Sequence, residues 1–249
     1  MGALSRGVFL ADLTWAEAGE RFAAGAPVVI PVGAAAKEHG LHLPLDTDRR
    51  VAHELARRVA ERLPVIVAPV VGFGYYPAFV AYPGSQHLRA ETFMALVAEL
   101  AGNLIGHGVR KIAILNNGVS TEAPLAEAAR RIRDQHGVGI LIANTRELGR
   151  GADALLQQRS GGHADERETS VMLALAPETV KLARAREAYR PAGAPTPFSP
   201  DPASPGYNPT GATGDPTLAT AEKGRAILDA MVRELADMLR AEWPALGST

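Results

Sequence analysis

The chain has 249 residues, of which 47% are hydrophobic and 21% charged, and its formal net charge is −1. This is the composition of a globular protein long enough for one large α/β domain, and the charge gives no electrostatic reason to expect nucleic acid or an acidic membrane as a partner. Cysteine is absent, which excludes disulfides, thiolate metal sites and cysteine nucleophiles, so metal ligands must come from His, Asp and Glu.

Two further absences bear on location. No apolar run reaches the ~20 residues that a membrane-spanning helix needs. The first residues, "MGALSRGVFLADLTW", lack the long apolar core and small-residue cleavage site of a secretory signal. The sequence therefore favours a cytoplasmic location.

Helices and apolar strands are predicted to alternate along the chain. A capped helix at 11–25 begins at Thr14, with Glu17 three residues on, and ends at Gly25. Apolar runs predict strands, and apolar residues at helical spacing predict helices. The predicted strands are 27–33, 64–74, 111–118 and 138–145, and the further helices are 48–63, 89–108, 123–137, 168–182 and 217–243.

This alternation predicts a parallel sheet with helices on both faces, within one domain that spans 1–249. Residues 190–216 interrupt the pattern, because they are too rich in proline for a regular helix or a central strand. The segment could be a disordered linker. We expect an ordered arm instead, because Phe198 and Tyr207 could anchor it, and we expect this arm to cover the site or a neighbouring subunit.

The first polar cluster follows the strand at 27–33 and contains Glu38, His39, His42 and Asp48. Imidazole and carboxylate are the groups that hold zinc, manganese and iron(II). The alternative is a purely structural role, in which one of residues 46–48 caps the following helix. Composition alone leaves these two alternatives about equal.

Two more clusters follow later strands or lie between elements. At 116–122, backbone amides at a helix start could bind an oxyanion, although an ordinary capping box with Glu122 in the first turn fits the spacing better. At 161–170, His163 is flanked by acidic residues that include Glu168 and could act as a general acid, or it could lie in a solvated surface loop. In an open parallel sheet, clusters beyond the carboxyl ends of strands can converge.

Three stretches together resemble the creatininase (creatinine amidohydrolase) family: "PVGAAAKEHGLHLPLDTD", "ILNNGVSTEAPL" and "GGHADERETSVMLALAP". "AYPGS" and "GDPTLATAEKG" extend the match over nearly the whole chain. The resemblance implies a three-layer α/β/α sandwich with a mostly parallel central sheet, a homo-oligomer such as a hexamer, and hydrolysis of C–N bonds in cyclic or formyl amides at a two-metal centre.

The resemblance also assigns roles, with departures. His39 and Asp48 match the family's nine-residue spacing, and Asp48 takes the place of the carboxylate that bridges two metals. Lys37 and Val119 stand where the family has a ligating glutamate and a ligating histidine. His163 matches a proton-transferring histidine, and Glu168 matches a glutamate of the same pocket. The tryptophans that close over creatinine have no counterpart, since both tryptophans here lie near the termini.

The predicted function is therefore a metal-dependent amidohydrolase that acts on a non-peptide, cyclic amide other than creatinine. One tightly held zinc, manganese or iron ion is expected on His39, Asp48 and a carboxylate, either Glu38 or Glu122. His163 would protonate the leaving nitrogen, and Glu168 would orient it or act as an outer ligand. The alternative is a non-catalytic protein of the same fold that has lost its metals and binds a small molecule or a partner.

Overall fold

The structure is a computed structural model, and it describes residues 6–189, 198–199, 201–204 and 206–247. Five strands and six α-helices of this part carry the architecture. The strands are β1 (Val8–Phe9), β2 (Val28–Val32), β3 (Ile66–Val67), β4 (Ile112–Asn116) and β5 (Ile140–Asn144). The helices are α1 (Trp15–Ala23), α2 (Thr47–Ala60), α3 (Ala90–Gly106), α4 (Glu122–His136), α5 (Glu166–Leu175) and α6 (Ala221–Glu242).

The strands form one parallel sheet in the order β1-β3-β2-β4-β5. The central pair is in full register, from Val28 opposite Ile112 to Val32 opposite Asn116. Both strands are buried along their whole length, which is the usual state of a strand covered on both faces. The predicted α/β fold with a parallel sheet is confirmed.

Two apolar layers cover the two faces of the sheet. Along β4, Ile112 and Ile114 pack with α3 and α4, whereas Ala113 and Leu115 pack with α2, α5 and α6. This alternation follows from the two-residue period of a strand, which directs neighbouring side chains to opposite faces. The helices therefore form the outer layers of a three-layer sandwich.

One strand of the structure was not predicted, and two predicted elements are shorter or shifted. The edge strand β1 was not predicted, and β3 has two residues where the sequence predicts a longer strand. The helix predicted at 168–182 begins earlier, at Glu166, and ends at Leu175. Pro177 explains this end, because proline disfavours the helical conformation in the residue before it and cannot donate the next backbone hydrogen bond.

The order of the strands creates a crevice at the carboxyl ends of β2 and β4. After β2 the chain runs to β3 on one side, and after β4 it runs to β5 on the other side. The loops that follow these two adjacent strands therefore run in opposite directions and leave a crevice between them. Open parallel sheets bind ligands in such a crevice. The polar clusters that begin at Glu38 and Asn116 lie in these two loops.

The described part of the Pro-rich arm packs against the loop that follows β3. The ring of Phe198 lies 4.9 Å from that of Phe79, and Tyr207 stacks on Tyr82 at 5.0 Å between ring centroids. The hydroxyl of Tyr82 also donates to the carbonyl of Asn208 at 2.7 Å. Residues 190–197, 200 and 205 of the arm lie outside the described residues. That the whole arm is ordered and covers the site or a neighbouring subunit stays a prediction. Among the helices of the described part, none combines the length and apolarity required to cross a bilayer.

Candidate active site at the carboxyl end of the sheet

A cavity of about 800 Å³ opens at the crevice between β2 and β4. Its walls come from the loops after both strands, from the start of α5 and from the Pro-rich arm. Charged and aromatic side chains line it, among them Lys37, Asp48, His163, Glu168 and Phe198. The volume is within the ordinary range of small-molecule sites.

Asp48 enters the site from the first turn of α2. The end of β2 passes so close to this turn that a Cβ atom on Gly33 would meet the carbonyl oxygen of Asp48. Glycine at this position therefore lets the strand and the helix approach each other. Asp46 is the residue before the helix, and its side chain makes no capping bond. The cap alternative thus does not account for Asp48, whose carboxylate is buried against His39.

Both ring nitrogens of His39 face oxygen acceptors. Nδ1 lies 3.0 Å from the carbonyl oxygen of Lys37, and Nε2 lies 2.9 Å from Oδ1 of Asp48. A neutral imidazole has only one N–H, so it can satisfy one of these acceptors. When Nδ1–H donates to the carbonyl, the lone pair of Nε2 faces Oδ1 of Asp48, so two potential metal-ligating atoms lie side by side at a fully buried position.

The carboxylate of Asp48 has further partners. Nζ of Lys37 lies 2.6 Å from Oδ2, and Nδ2 of Asn117 donates to Oδ1 at 3.2 Å. Burial by itself would raise the pKa of Asp48, but the nearby His39 and Lys37 outweigh it and hold that pKa well below its ordinary value. Asp48 is therefore an anion tied on both of its oxygens.

His163 lies across the cavity, immediately before α5. Its ring packs against Phe79, at 4.8 Å, and Phe198, at 5.2 Å between centroids, and these two rings also contact each other. The next residue, Ala164, has a φ of 46°, a conformation that is unfavourable for a residue with a Cβ and that often marks functional sites. The main chain of His163 is also bonded to Thr213, whose N–H donates to its carbonyl at 2.8 Å.

Two glutamates hold the imidazole of His163. Nε2 lies 3.1 Å from Oε2 of Glu38 and also 3.1 Å from the Glu38 carbonyl oxygen, while Nδ1 lies 3.7 Å from Oε2 of Glu168. Because both Glu38 atoms are acceptors, Nε2 carries a proton and Nδ1 is left to take or release one. Glu38 also accepts a bond from the N–H of Gly40.

Glu168 reaches the cavity from the first turn of α5. Its Oε2 accepts a hydrogen bond from the N–H of Ala164 at 2.6 Å, and 36% of its side chain remains exposed, on the cavity side. Burial of the carboxyl group raises the pKa of Glu168, and the adjacent His163 acts in the opposite direction. A carboxyl group with a raised pKa beside a histidine is typical of sites that transfer protons.

The loop after β4 forms another wall. Gly118, Val119, Ser120 and Glu122 line the cavity. The capping box proposed for this loop does not form, because the hydroxyl of Thr121 donates to Oδ1 of Asn116 at 2.7 Å instead of capping α4. Glu122 pairs with Arg146, with 2.8 Å between Oε2 and Nη2.

One group of three described residues could hold a metal ion: His39, His163 and Glu168, whose ligand atoms all lie within 4.8 Å of one another. This set of two imidazoles and a carboxylate suits zinc, manganese or iron(II). The structure thus brings together five of the six predicted site residues, Glu38, His39, Asp48, His163 and Glu168, while Glu122 lies on another part of the cavity wall. Within that set, Glu38 contacts His163 rather than Asp48.

Other acidic and basic residues of these clusters support the loops. Buried Glu166 accepts bonds from the N–H groups of Gln157 and Gln158 and pairs with Lys223. Asp165 caps α5 by accepting from the N–H of Glu168 at 3.0 Å. His42 contacts the hydroxyl of Thr169 at 2.8 Å, and its burial lowers its pKa to about 4.

Sequence reasoning did not identify three of the contacts at the site. The amide of Asn117 fixes Asp48, the ammonium of Lys37 neutralises it, and the ring of Phe79 packs on His163. Asn117 follows a strand, which is a usable signal for a polar site residue. For Phe79, nothing in the local pattern indicates a place beside a histidine 84 positions along the chain.

Comparison with known proteins identifies the family of the chain. The family model described as creatinine amidohydrolase matches residues 11–239. A creatinine amidohydrolase of Pseudomonas putida is 30% identical over 97% of this chain and 99% of its own. A mycofactocin precursor peptide peptidase of Mycobacterium tuberculosis is 33% identical over 82% of this chain and 81% of its own. A solved structure described as "Creatininase Mn" superposes with a TM-score of 0.84 at 27% identity, over 96% of this chain and all of the other.

These relatives are named as hydrolases, and the match extends over nearly the whole chain and the whole fold. The residues at the end of the sheet, the fold and the comparisons lead to the same conclusion: the chain belongs to the creatininase family.

Proposed function

We propose that this protein hydrolyses an amide C–N bond with the help of one divalent metal ion. The observation that carries the proposal is a pair of neighbouring histidines, of which His163 lines the cavity and His39 is buried next to it, with 4.9 Å between the ring centroids. His39 has Nδ1 held by a carbonyl oxygen and Nε2 directed at Asp48, while His163 has Nε2 held by Glu38 and Nδ1 directed at Glu168. Such fixed imidazoles are what metal binding and proton transfer require.

We propose that His39 and Asp48 hold the ion, with Glu168, which has an oxygen within 4.8 Å of a ring nitrogen of His39, as a further carboxylate. The acceptors around His39 support this, because a ring that donates from Nδ1 to the Lys37 carbonyl turns the lone pair of Nε2 toward the Asp48 side, where both could ligate an ion. Asn117 steadies Asp48 from the other side. When bound, a zinc, manganese or iron(II) ion supplies Lewis acidity toward the amide carbonyl and toward water.

In this proposal His163 moves the proton. Its Nδ1 is the atom that would deliver a proton to the leaving nitrogen, while Glu38 keeps the opposite N–H in place. Phe79 and Phe198 pack against the ring and shield that side of it from water. Backbone N–H groups of the 118–120 loop, which lines the cavity, would receive the developing oxyanion, and Glu122 would contact the substrate from the same wall.

For the substrate, we propose a cyclic, non-peptide amide other than creatinine. Trp15 is 90% exposed, and Trp243 packs against the helical core, so neither closes over a ligand in the cavity described here. One relative is named as a peptide peptidase, which makes a peptide amide the natural second class to test.

A non-catalytic role is the second candidate. It is favoured by one observation, the ion pair between Lys37 and Asp48, since a carboxylate that is already neutralised has less affinity for a metal. We retain the expectation of a homo-oligomer in the cytoplasm as part of the proposal, and light scattering on the purified protein would measure the assembly.

The test is a screen of cyclic amides, imides, formamides and short peptides with zinc, manganese or iron(II) added to metal-free protein. We expect hydrolysis of at least one compound. On that compound, Asp48→Asn should lose the ion and the activity together, whereas His163→Asn should keep the ion and lose ~10²–10⁴-fold in turnover, as for a missing general acid or base. Folded, metal-loaded protein that hydrolyses nothing in the panel would support the binding role instead.

A further inference from the structure

Lys37 is a buried cation beside the carboxylate of the site. Only 8% of the residue is exposed, and its Nζ lies 2.6 Å from Oδ2 of Asp48 and 5.1 Å from the ring centre of Phe79. An ammonium group is costly to bury unless it is paired. Among the residues that the structure describes, Asp48 is the one anion in contact with it.

The two oxygens of Asp48 have different neighbours. Oδ1 faces Nε2 of His39, which can ligate a metal, and accepts from the amide of Asn117. Oδ2 faces the ammonium of Lys37. A carboxylate that bridges two metal ions offers one oxygen to each of them. Here the second oxygen already has a cation.

Apart from Asp48, the described residues that line the space beside Lys37 include no carboxylate and no imidazole. This small cavity of about 20 Å³ is lined by Lys37, Asp48 and Val119 and by neutral polar residues such as Tyr76, Asn117 and Thr121. Val119 is apolar, and the hydroxyl of Thr121 is engaged with Asn116. A space of this size holds one water-sized particle, and the one cationic side chain on its wall, within the part of the chain that the structure describes, is that of Lys37.

We propose that the ammonium group of Lys37 replaces one of two metal ions on Asp48, so that this protein cannot hold a paired metal centre. The inference rests on the proposed function for the ion at His39. Two residues define it: Lys37 supplies the charge that a second ion would bring, and Val119 removes a ligand that such an ion would need. Both lie on the wall of the same small cavity.

The experiment counts ions and needs no substrate. Metal-free protein is loaded with excess Mn²⁺, desalted and analysed by mass spectrometry for manganese per chain. The double variant Lys37→Glu/Val119→His should hold one ion more than the natural protein. Lys37→Arg/Val119→His, the matched control that keeps a positive charge, should hold the same number as the natural protein. Circular dichroism establishes that each variant is folded.

Electron paramagnetic resonance of the natural protein gives a second measurement that does not depend on the folding of any variant. We expect uncoupled Mn²⁺. A spin-coupled pair in the natural protein, or an extra ion in the arginine control, would overturn the inference, as would an unchanged count in a folded glutamate/histidine variant. The ion counts are made without substrate. They therefore test the role of Lys37 even if the protein hydrolyses no amide in the panel. Conversely, hydrolysis by a natural protein with two ions would sustain amide hydrolysis as the function, but it would overturn the single-ion site and remove the role of Lys37.

Discussion

The carboxylate of Glu38 lies behind His163, and its removal tests the proton-transfer role without touching the walls of the cavity. Glu38→Gln keeps the size of the side chain and an oxygen that can accept from Nε2, but it removes the charge. At the observed 3.1 Å, a unit-charge pair interacts by about 5 kcal/mol in an effective dielectric of ~20. Desolvation offsets part of this, and hydrogen bonds to charged groups are worth roughly 1.5–3 kcal/mol net.

That net value corresponds to a loss of about 10- to 100-fold in kcat, since each ~1.4 kcal/mol is tenfold. The assay is steady-state hydrolysis of the best compound from the screen, with metal content measured on the same samples. KM should change little, because Glu38 contacts His163 and is not among the described residues that line the cavity. Glu127→Gln, on the exposed surface of α4, is the matched control.

Two results would refute this reasoning. A kcat for Glu38→Gln equal to that of the control would mean that the carboxylate does not act through His163. Loss of the ion from Glu38→Gln, with the protein still folded, would mean that Glu38 is a metal ligand and that its contact with His163 is secondary.

Three further predictions concern stability and are measured by urea denaturation of metal-free protein. Asp48→Ala leaves Lys37 buried without its anion, so it should cost roughly 3–5 kcal/mol; a cost below ~1 kcal/mol would show that the ion pair is unimportant. His42 has its pKa lowered by burial to about 4, below the ordinary value of 6.5, so the unfolded chain binds the proton first and stability falls as pH drops from about 6.5 to 4. His42→Gln should remove about 2–3 kcal/mol of that pH dependence, and an unchanged pH profile would contradict it. Asp165→Ala removes the cap of α5 and should cost about 1–2 kcal/mol, with Asp165→Asn closer to the natural protein; equal losses for both would argue against the cap.

The sheet and its helices were largely predictable, because long apolar runs and helical spacing are local signals. Val28–Val32 and Ile112–Asn116 lie within predicted strands, and the cap of α1 forms as its sequence indicates, with Thr14 and Glu17 bonded to each other. The two-residue strands β1 and β3 could not be bounded, since two residues show no periodicity. Their position is set by pairing with neighbouring strands rather than by their own side chains.

The site was predictable in part for a similar reason. His39 and Asp48 are nine residues apart after one strand, and a parallel sheet brings the ends of its strands to one edge. The contact of Glu38 with His163 spans 125 residues and depends on the path of two loops. The placement of Lys37 on Asp48 depends on the path of the loop between β2 and α2. Neither contact has a signal in composition or spacing.

The measurement that tests the central claim most directly is a titration of metal-free protein with Mn²⁺ or Zn²⁺ while hydrolysis of an amide substrate is followed. We predict that activity is absent without metal, rises in proportion to the ion added, and reaches its plateau at one equivalent per chain. Activity that persists in metal-free protein, or that continues to rise to two equivalents, would contradict a hydrolase whose single ion is held by His39 and Asp48.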